Sequence, residues 1–114
     1  MKPHQPTSPL TEATFFILLS LSPSAKHGYA IMKEVKVLSN GRIVFSTGTL
    51  YGALRRLLEQ GWIKRVNDPV PNPTDRERKA YALTEKGRRV VSAETERLRS
   101  LLATAEERTS ESPL

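Results

Sequence analysis

The clearest recognition chemistry in this sequence lies on a predicted helix that begins after Ser46. Leu50, Leu54 and Leu57 follow helical spacing and define a buried face, because successive residues turn by about 100° around a helix axis. The opposite face starts with small and hydroxylated residues and becomes basic: Gly48, Thr49, Gly52, Arg55, Arg56 and Glu59. Small residues let a helix backbone approach base edges, threonine hydroxyls can bond to those edges, and arginines can bind phosphates. This pattern predicts a helix that enters the major groove of DNA, and a merely solvated face is the alternative.

The chain offers no comparable pattern for catalysis or metal binding. It has no cysteine, and its two histidines, His4 and His27, lie far apart, which argues against a metal site. The glycines near the predicted helix are not followed by the Lys-Ser/Thr pair of a phosphate-binding loop. Serines and histidines are too scattered to form a catalytic triad. We therefore expect neither an enzyme nor a cofactor.

The charge distribution favours a polyanionic partner. Residues 1–83 carry 12 Lys and Arg against 6 Asp and Glu, whereas residues 84–114 carry 6 of each, so the net charge of +6 resides in the first part. Such a basic body attracts nucleic acid or an anionic membrane surface. The longest apolar run, from Phe15 to Leu19, is too short to span a bilayer, and we expect no signal peptide and a cytoplasmic protein.

Two further helices precede the candidate recognition helix. Residues 1–9 predict a flexible arm, and the first helix runs to about Leu21, capped by Ser8 with Pro9 at its first position or by Thr11. Because most of its residues are apolar, this helix is expected to be buried nearly all round. The second helix opens at His27 and Gly28 and ends at Asn40 and Gly41, and the third ends at Gly61.

A hairpin follows the three helices. Trp62–Val66 and Lys79–Leu83 predict two strands, and the proline-rich stretch from Asp68 to Asp75 predicts the loop between them. On the returning side of this wing we expect DNA backbone contacts from Arg76, Arg78 and Lys79. The predicted fold is therefore mostly α with a small β-hairpin wing, that is, a winged helix-turn-helix over residues 10–83.

The last predicted helix, residues 84–107, carries a heptad pattern that is typical of a dimer interface. Gly87, Val91, Glu94, Leu98, Leu101 and Ala105 step by alternating fours and threes, and Val90 and Leu102 widen the seam. Glu94 is expected to leave a polar gap there, and residues 108–114 to form a frayed tail. A lean hydrophobic content of 38% also favours a second subunit. The expected interface is formed by Phe15, Phe16, Val91, Leu98, Leu101, Leu102 and Ala105.

Four short motifs, in order and at compatible spacing, resemble the PadR family of bacterial regulators over roughly residues 9–105. They are His27-Gly28-Tyr29, Gly48-Thr49-Leu50-Tyr51, Leu54-x-x-Leu57-x-x-x-Gly61 and Lys79-x-Tyr81-x-Leu83-Thr84-x-x-Gly87. The resemblance implies a winged helix-turn-helix plus one C-terminal dimerisation helix. It also implies repression through near-palindromic operators and, in some members, release from DNA by a small aromatic ligand. Trp62 does not lie on the dimerisation helix, so an aromatic-lined pocket has no evident walls there.

The resemblance also adds two tyrosines to the candidate site. Tyr29 is placed where its hydroxyl reaches a phosphate, with a core tyrosine as the alternative, and Tyr51 is placed beside the inner face of the third helix. Two other classes stay open, namely a winged helix used only for protein–protein contact and one that binds RNA. The predicted DNA-contacting residues are Tyr29, Ser46, Thr47, Gly48, Thr49, Tyr51, Gly52, Arg55, Arg56, Arg76, Arg78 and Lys79.

Overall fold

The computed structural model describes residues 9–67 and 79–110, which form four helices and a three-stranded antiparallel sheet. The mostly helical winged-helix architecture predicted from the sequence is confirmed. In chain order the elements are α1 (Glu12–Leu21), β1 (Lys26–His27), α2 (Gly28–Leu38), α3 (Thr47–Gln60), β2 (Ile63–Asn67), β3 (Lys79–Leu83) and α4 (Glu85–Ser110). The predicted arm before Pro9, the wing tip with Arg76 and Arg78, and residues 111–114 lie outside the described residues.

Capping residues set where the helices start. Thr11 is the N-cap of α1, and its hydroxyl accepts the backbone N–H of Thr14 at 3.1 Å. The cap is therefore the second of the two predicted candidates, and Pro9 precedes the helix. His27 caps α2 and Ser46 caps α3, both at the predicted positions.

The sheet differs from the prediction in two places. Its strand order is β1-β3-β2, and the short strand β1, which the sequence analysis missed, pairs Lys26 with Tyr81. The strand β2 begins at Ile63, so Trp62 lies in the turn before it. Through β1, the start of α2 is tied directly to the wing strand β3.

The core gathers one face from each helix and from the sheet. Leu18 of α1, Ile31 of α2, Leu50 of α3 and Ile63 of β2 are each at most 2% exposed. The expectation that α1 is buried nearly all round is wrong, because Phe15, Phe16 and Leu19 are only partly buried. The elements α2, α4 and β3 contact α1, and they leave part of its surface open.

The long helix α4 extends from the wing and is buried only in its first part. Thr84 precedes it, accepting the Gly87 N–H at 3.0 Å and donating to the Gly61 carbonyl at 2.6 Å, so α4 starts where α3 ends. The helix continues to Ser110, three residues beyond the predicted end, and the Thr109 hydroxyl donates to the Ala105 carbonyl at 3.0 Å. Within residues 9–67 and 79–110, no helix has both the length and the apolar character that crossing a membrane requires.

Candidate nucleic-acid interface

The link between α2 and α3 fixes the direction of the candidate recognition helix. Ser39 is fully buried, and its hydroxyl donates to the Lys36 carbonyl and accepts the Ile43 N–H at 2.9 Å. Asn40 and Gly41 adopt positive φ angles of 55° and 80°, a conformation that asparagine and glycine tolerate best. These contacts hold the link in one path, so that α3 leaves the body at a defined angle.

Two hydroxyl groups meet at the start of α3. The Ser46 Oγ accepts the Thr49 backbone N–H at 3.2 Å and donates to the Thr49 Oγ1 at 2.9 Å. A hydroxyl has one proton and two lone pairs, so the Thr49 hydroxyl can bond to Ser46 and to a second partner at the same time. Thr47, Gly48 and Thr49 are all exposed, so the first turn of α3 presents this hydroxyl to solvent.

The two glycines of α3 have no structural neighbours that require them. A Cβ atom at Gly48 would meet nothing within 4 Å, and one at Gly52 would meet only the Arg56 Nη1, at 3.9 Å. Neither glycine is among the positive-φ residues. A glycine inside a helix costs about 1 kcal/mol relative to alanine, so the fold alone gives no reason for these two.

The outer face of α3 becomes basic towards its C-terminal end. Arg55 and Arg56 are exposed, and neither forms an ion pair with another described residue. On the inner side, Leu50, Leu54 and Leu57 are buried as predicted. The helix therefore separates an apolar packing face from an open face that carries positive charge.

Tyr51 lies at the contact between α3 and the start of α2. A Cβ atom on Gly28 would collide with the Tyr51 hydroxyl and lie 2.7 Å from its Cζ, so the ring needs a glycine there. Tyr51 is nevertheless partly exposed, with 42% of its surface accessible. Its ring thus sets the spacing of α2 and α3, and the exposed remainder lies on the side of the molecule where these helices begin.

Tyr29 lies on the surface at the start of α2, not in the core. It is 59% exposed, stacks with the His27 ring at 6.5 Å between centroids, and has the Lys33 ammonium 5.5 Å from its ring centroid. The His27 Nδ1 meanwhile accepts the Ala30 N–H as the helix cap, at 3.4 Å. The core alternative for Tyr29 is therefore wrong.

The wing adds cations that the sequence analysis overlooked. Lys79 is exposed at the start of β3, opposite Asn67, as predicted for a wing residue. Lys64 and Arg65 on β2 are also exposed. The sequence analysis predicted the strand that contains these two residues and did not consider them as DNA contacts, although two adjacent cations were visible in the sequence.

The predicted dimer residues fall into two groups. Leu98, Leu101 and Leu102 are 40%, 55% and 58% exposed, and Ala105 is exposed as well. Phe16 and Val91, in contrast, pack against the core of their own chain, and Phe15 is half-buried. Glu94 is buried inside the chain and paired with Arg97, so the expected polar gap in the seam is wrong.

Comparisons with known proteins agree with this geometry. The Transcriptional regulator PadR-like family matches residues 17–93. No match is found among curated proteins.

Solved structures share the fold. A PadR family transcription regulator from Clostridium difficile R20291 is similar with a TM-score of 0.67 and 23% identity, over 85% of this chain and 96% of that one. A transcriptional regulator from Clostridium thermocellum has a TM-score of 0.66 and 24% identity, over 83% and 87%. Bacillus subtilis PadR in complex with operator DNA has a TM-score of 0.60 and 24% identity, over 70% of this chain and 44% of that one. By the family match over residues 17–93, this chain belongs to the PadR-like family of transcriptional regulators and is not an enzyme.

Proposed function

We propose that this protein is a cytoplasmic repressor that binds an inverted-repeat operator as a homodimer, with the outer face of α3 in the major groove. The observation that carries the proposal is the pair Gly48 and Gly52, which the fold does not need and which leaves the face of α3 open. A helix that enters the groove needs this clearance, because any Cβ there would stand between its backbone and the base edges.

The chemistry around the glycines supports the same assignment. The Thr49 hydroxyl can donate to acceptors such as guanine O6 or N7 and thymine O4. Arg55 and Arg56 can bind the flanking phosphates, and the exposed wing cations Lys64, Arg65 and Lys79 extend the positive surface. Bases would be selected at the start of α3, and the arginines and the wing would supply affinity that is independent of sequence.

The exposed leucines of α4 support the dimer. Leu98, Leu101 and Leu102 are neighbours at helical spacing and are the largest apolar groups on a projecting helix. A second copy of α4 would remove them from water by a twofold contact. Such a dimer presents two identical α3 helices, so the two half-sites lie about one helical turn apart or a whole multiple of it.

Repression and release by a small aromatic effector rest on the family resemblance and stay predictions. The only tryptophan, Trp62, packs against the core beside Gly87, away from the exposed part of α4. The alternative function, a protein–protein interaction module, would use the same exposed leucines but gives no reason for the open glycines of α3.

The experiment is selection from a random duplex library at one fixed salt concentration, with light scattering on the free protein. We expect a dimer and an enriched inverted repeat, with duplex RNA competing poorly. Thr49→Val keeps the shape of the side chain and should cost about 1–3 kcal/mol on the selected duplex, while binding to random duplex persists. Absence of any enriched sequence, together with equal competition by RNA, would overturn the proposal.

A further inference from the structure

Glu94 occupies an unusual position in α4. It is 6% exposed and is the only buried charged residue among those described. It is also the last residue of α4 that is buried, because residues 95–110 are partly or fully exposed. Glu94 therefore marks the point where α4 leaves the winged-helix body.

The carboxylate of Glu94 is paired on its own helix and covered from outside it. On its own helix, Arg97 donates from Nε to Oε1 at 2.9 Å and from Nη2 to Oε2 at 2.6 Å. The helices α1 and α4 are in contact, and the Leu10 backbone lies near enough to help lower the pKa of the Glu94 carboxyl. Leu10 precedes α1 and packs against the core. Glu94 is thus buried where α4 meets the segment that leads into α1.

A second ion pair on α4 shows how the Glu94–Arg97 pair differs from an ordinary surface pair. Glu96 and Arg99 have the same three-residue spacing and a 2.7 Å contact, but both side chains are largely exposed and bond to no other element among the described residues. Exposed pairs of this kind contribute little to stability. A buried carboxylate that loses its partners is costly, so Glu94 holds its contacts wherever the helix is in place.

The projecting part of α4 amplifies any movement at this joint. Residues 95–110 make an arm of about 24 Å at 1.5 Å per residue, and a tilt of about 10° at Glu94 moves its end by about 4 Å. That displacement is comparable with the rise of about 3.4 Å per base pair. A small change in the angle of α4 therefore shifts the two reading heads of a dimer by about one base pair.

We propose that Glu94 is a positioning residue which, through Arg97 and Leu10, fixes the angle of α4 to the DNA-binding body and so sets the half-site spacing of the operator. This inference rests on the proposed function, since it assumes a dimer formed by the projecting part of α4. The residue does not touch DNA. It acts by restricting the distance between the two α3 helices of the dimer to a narrow range.

The test measures spacing preference instead of affinity alone. The selected half-sites are placed in duplexes whose centre is lengthened or shortened by one to four base pairs, and the parent is compared with Glu94→Gln. Glutamine keeps the size of the side chain and removes its charge. Glu96→Gln is the matched control on the exposed pair. We expect the parent and the control to favour one spacing by at least tenfold, and Glu94→Gln to reduce that preference to about twofold.

A second measurement works without DNA. The chain has no cysteine, so Gln60→Cys at the exposed end of α3 carries the only spin label of each protomer. Distances between the two labels of a dimer should broaden in Glu94→Gln and stay narrow in Glu96→Gln.

The outcomes separate the two claims. If the parent selects an operator and Glu94→Gln has the same spacing profile, the positioning role is overturned and the proposed function is left intact. If the parent selects no paired half-sites, the proposed function fails, and the distances between the spin labels then test the positioning role. A distance distribution that broadens only in Glu94→Gln supports that role, and equal widths in Glu94→Gln and Glu96→Gln overturn it. A parent that gives no distance between protomers overturns both.

Discussion

The two halves of α4 use similar residues in opposite ways. In the first half, Gly87, Val90 and Glu94 are buried against the wing and the core of the same chain. In the second half, Leu98, Leu101 and Leu102 are exposed although they are larger and more apolar. One continuous heptad pattern therefore has two different partners, the protein's own body first and, under our proposal, a second copy of the chain afterwards.

Two glycines show the same contrast between a partner within the chain and a partner outside it. Gly87 lies directly against the Trp62 carbonyl, where no side chain fits, whereas Gly52 faces open space. A residue that the fold requires is explained by its neighbours. A residue that the fold merely tolerates, at a cost in helix stability, points to a partner outside the chain.

The largest effect should come from Gly87→Ala. The new Cβ would collide with the Trp62 carbonyl and lie 3.0 Å from Leu83 Cδ2, and the carbonyl cannot move because it accepts the Thr84 N–H at 3.1 Å. We expect a loss of about 1–3 kcal/mol in the free energy of unfolding, measured by urea denaturation. The control is Ala93→Gly, which lacks that collision and should cost about 1 kcal/mol as an ordinary helix glycine. A rise in the free energy of unfolding in Gly87→Ala, as expected when alanine replaces an unhindered helix glycine, would contradict the packing argument.

The next effect concerns the exposed half of α4. Leu98→Glu together with Leu101→Glu should give a folded monomer, because neither side chain is part of the chain's own core. Light scattering measures the mass, and circular dichroism checks that the helices remain. Ser100→Glu with Ala103→Glu places the same charges on the opposite, exposed side of the helix and should leave the dimer intact. A dimer that survives the leucine changes would remove this surface from the interface.

A smaller effect is the pH dependence contributed by Glu94. The Arg97 hydrogen bonds hold the pKa of the Glu94 carboxyl below its ordinary value of 4.5, against the opposing effect of burial. A carboxyl with a lowered pKa in the folded state stabilises the fold fully above the ordinary pKa, and this contribution is lost as the pH falls through the lowered value. The difference in unfolding free energy between the parent and Glu94→Gln should therefore be constant at neutral pH and shrink below about pH 4.5. A difference that stays constant into the acid range would contradict the ion pair.

Much of the fold was predictable because local signals were strong. Ser46 and Gly61 bound α3 as predicted, with Gly61 in the left-handed conformation, and the leucines between them follow helical spacing. The two-residue strand β1 was not predictable, since no periodicity can show in two residues. The pairing of Lys26 in β1 with Tyr81 in β3 depends on tertiary packing, which a local sequence pattern does not show.

The residue types of the candidate site and of the dimer surface were predictable, but the burial of individual side chains was not. The heptad pattern could not show that Glu94 faces its own chain, because the choice between two partners depends on the position of the segment before α1. Tyr29 was likewise ambiguous, since helical spacing alone does not show whether a residue near a helix start is covered. Lys64 and Arg65 were missed because only the cations on the returning side of the wing were considered as DNA contacts.

The most direct test of the account compares the stability and the DNA binding of two variants at one position. Gly52→Ala and Gly52→Gln should both raise the free energy of unfolding by up to about 1 kcal/mol, because each replaces a helix glycine that has open space beside it. Ser92→Gln, on the exposed surface of α4, is the control for an added side chain and should not change DNA binding.

Affinity for the selected operator is then measured at one salt concentration. We expect Gly52→Gln to bind at least tenfold more weakly than the parent while it is no less stable, with the affinity of Gly52→Ala in between. If Gly52→Gln binds the operator as tightly as the parent, the outer face of α3 does not enter the groove, and the central claim is wrong.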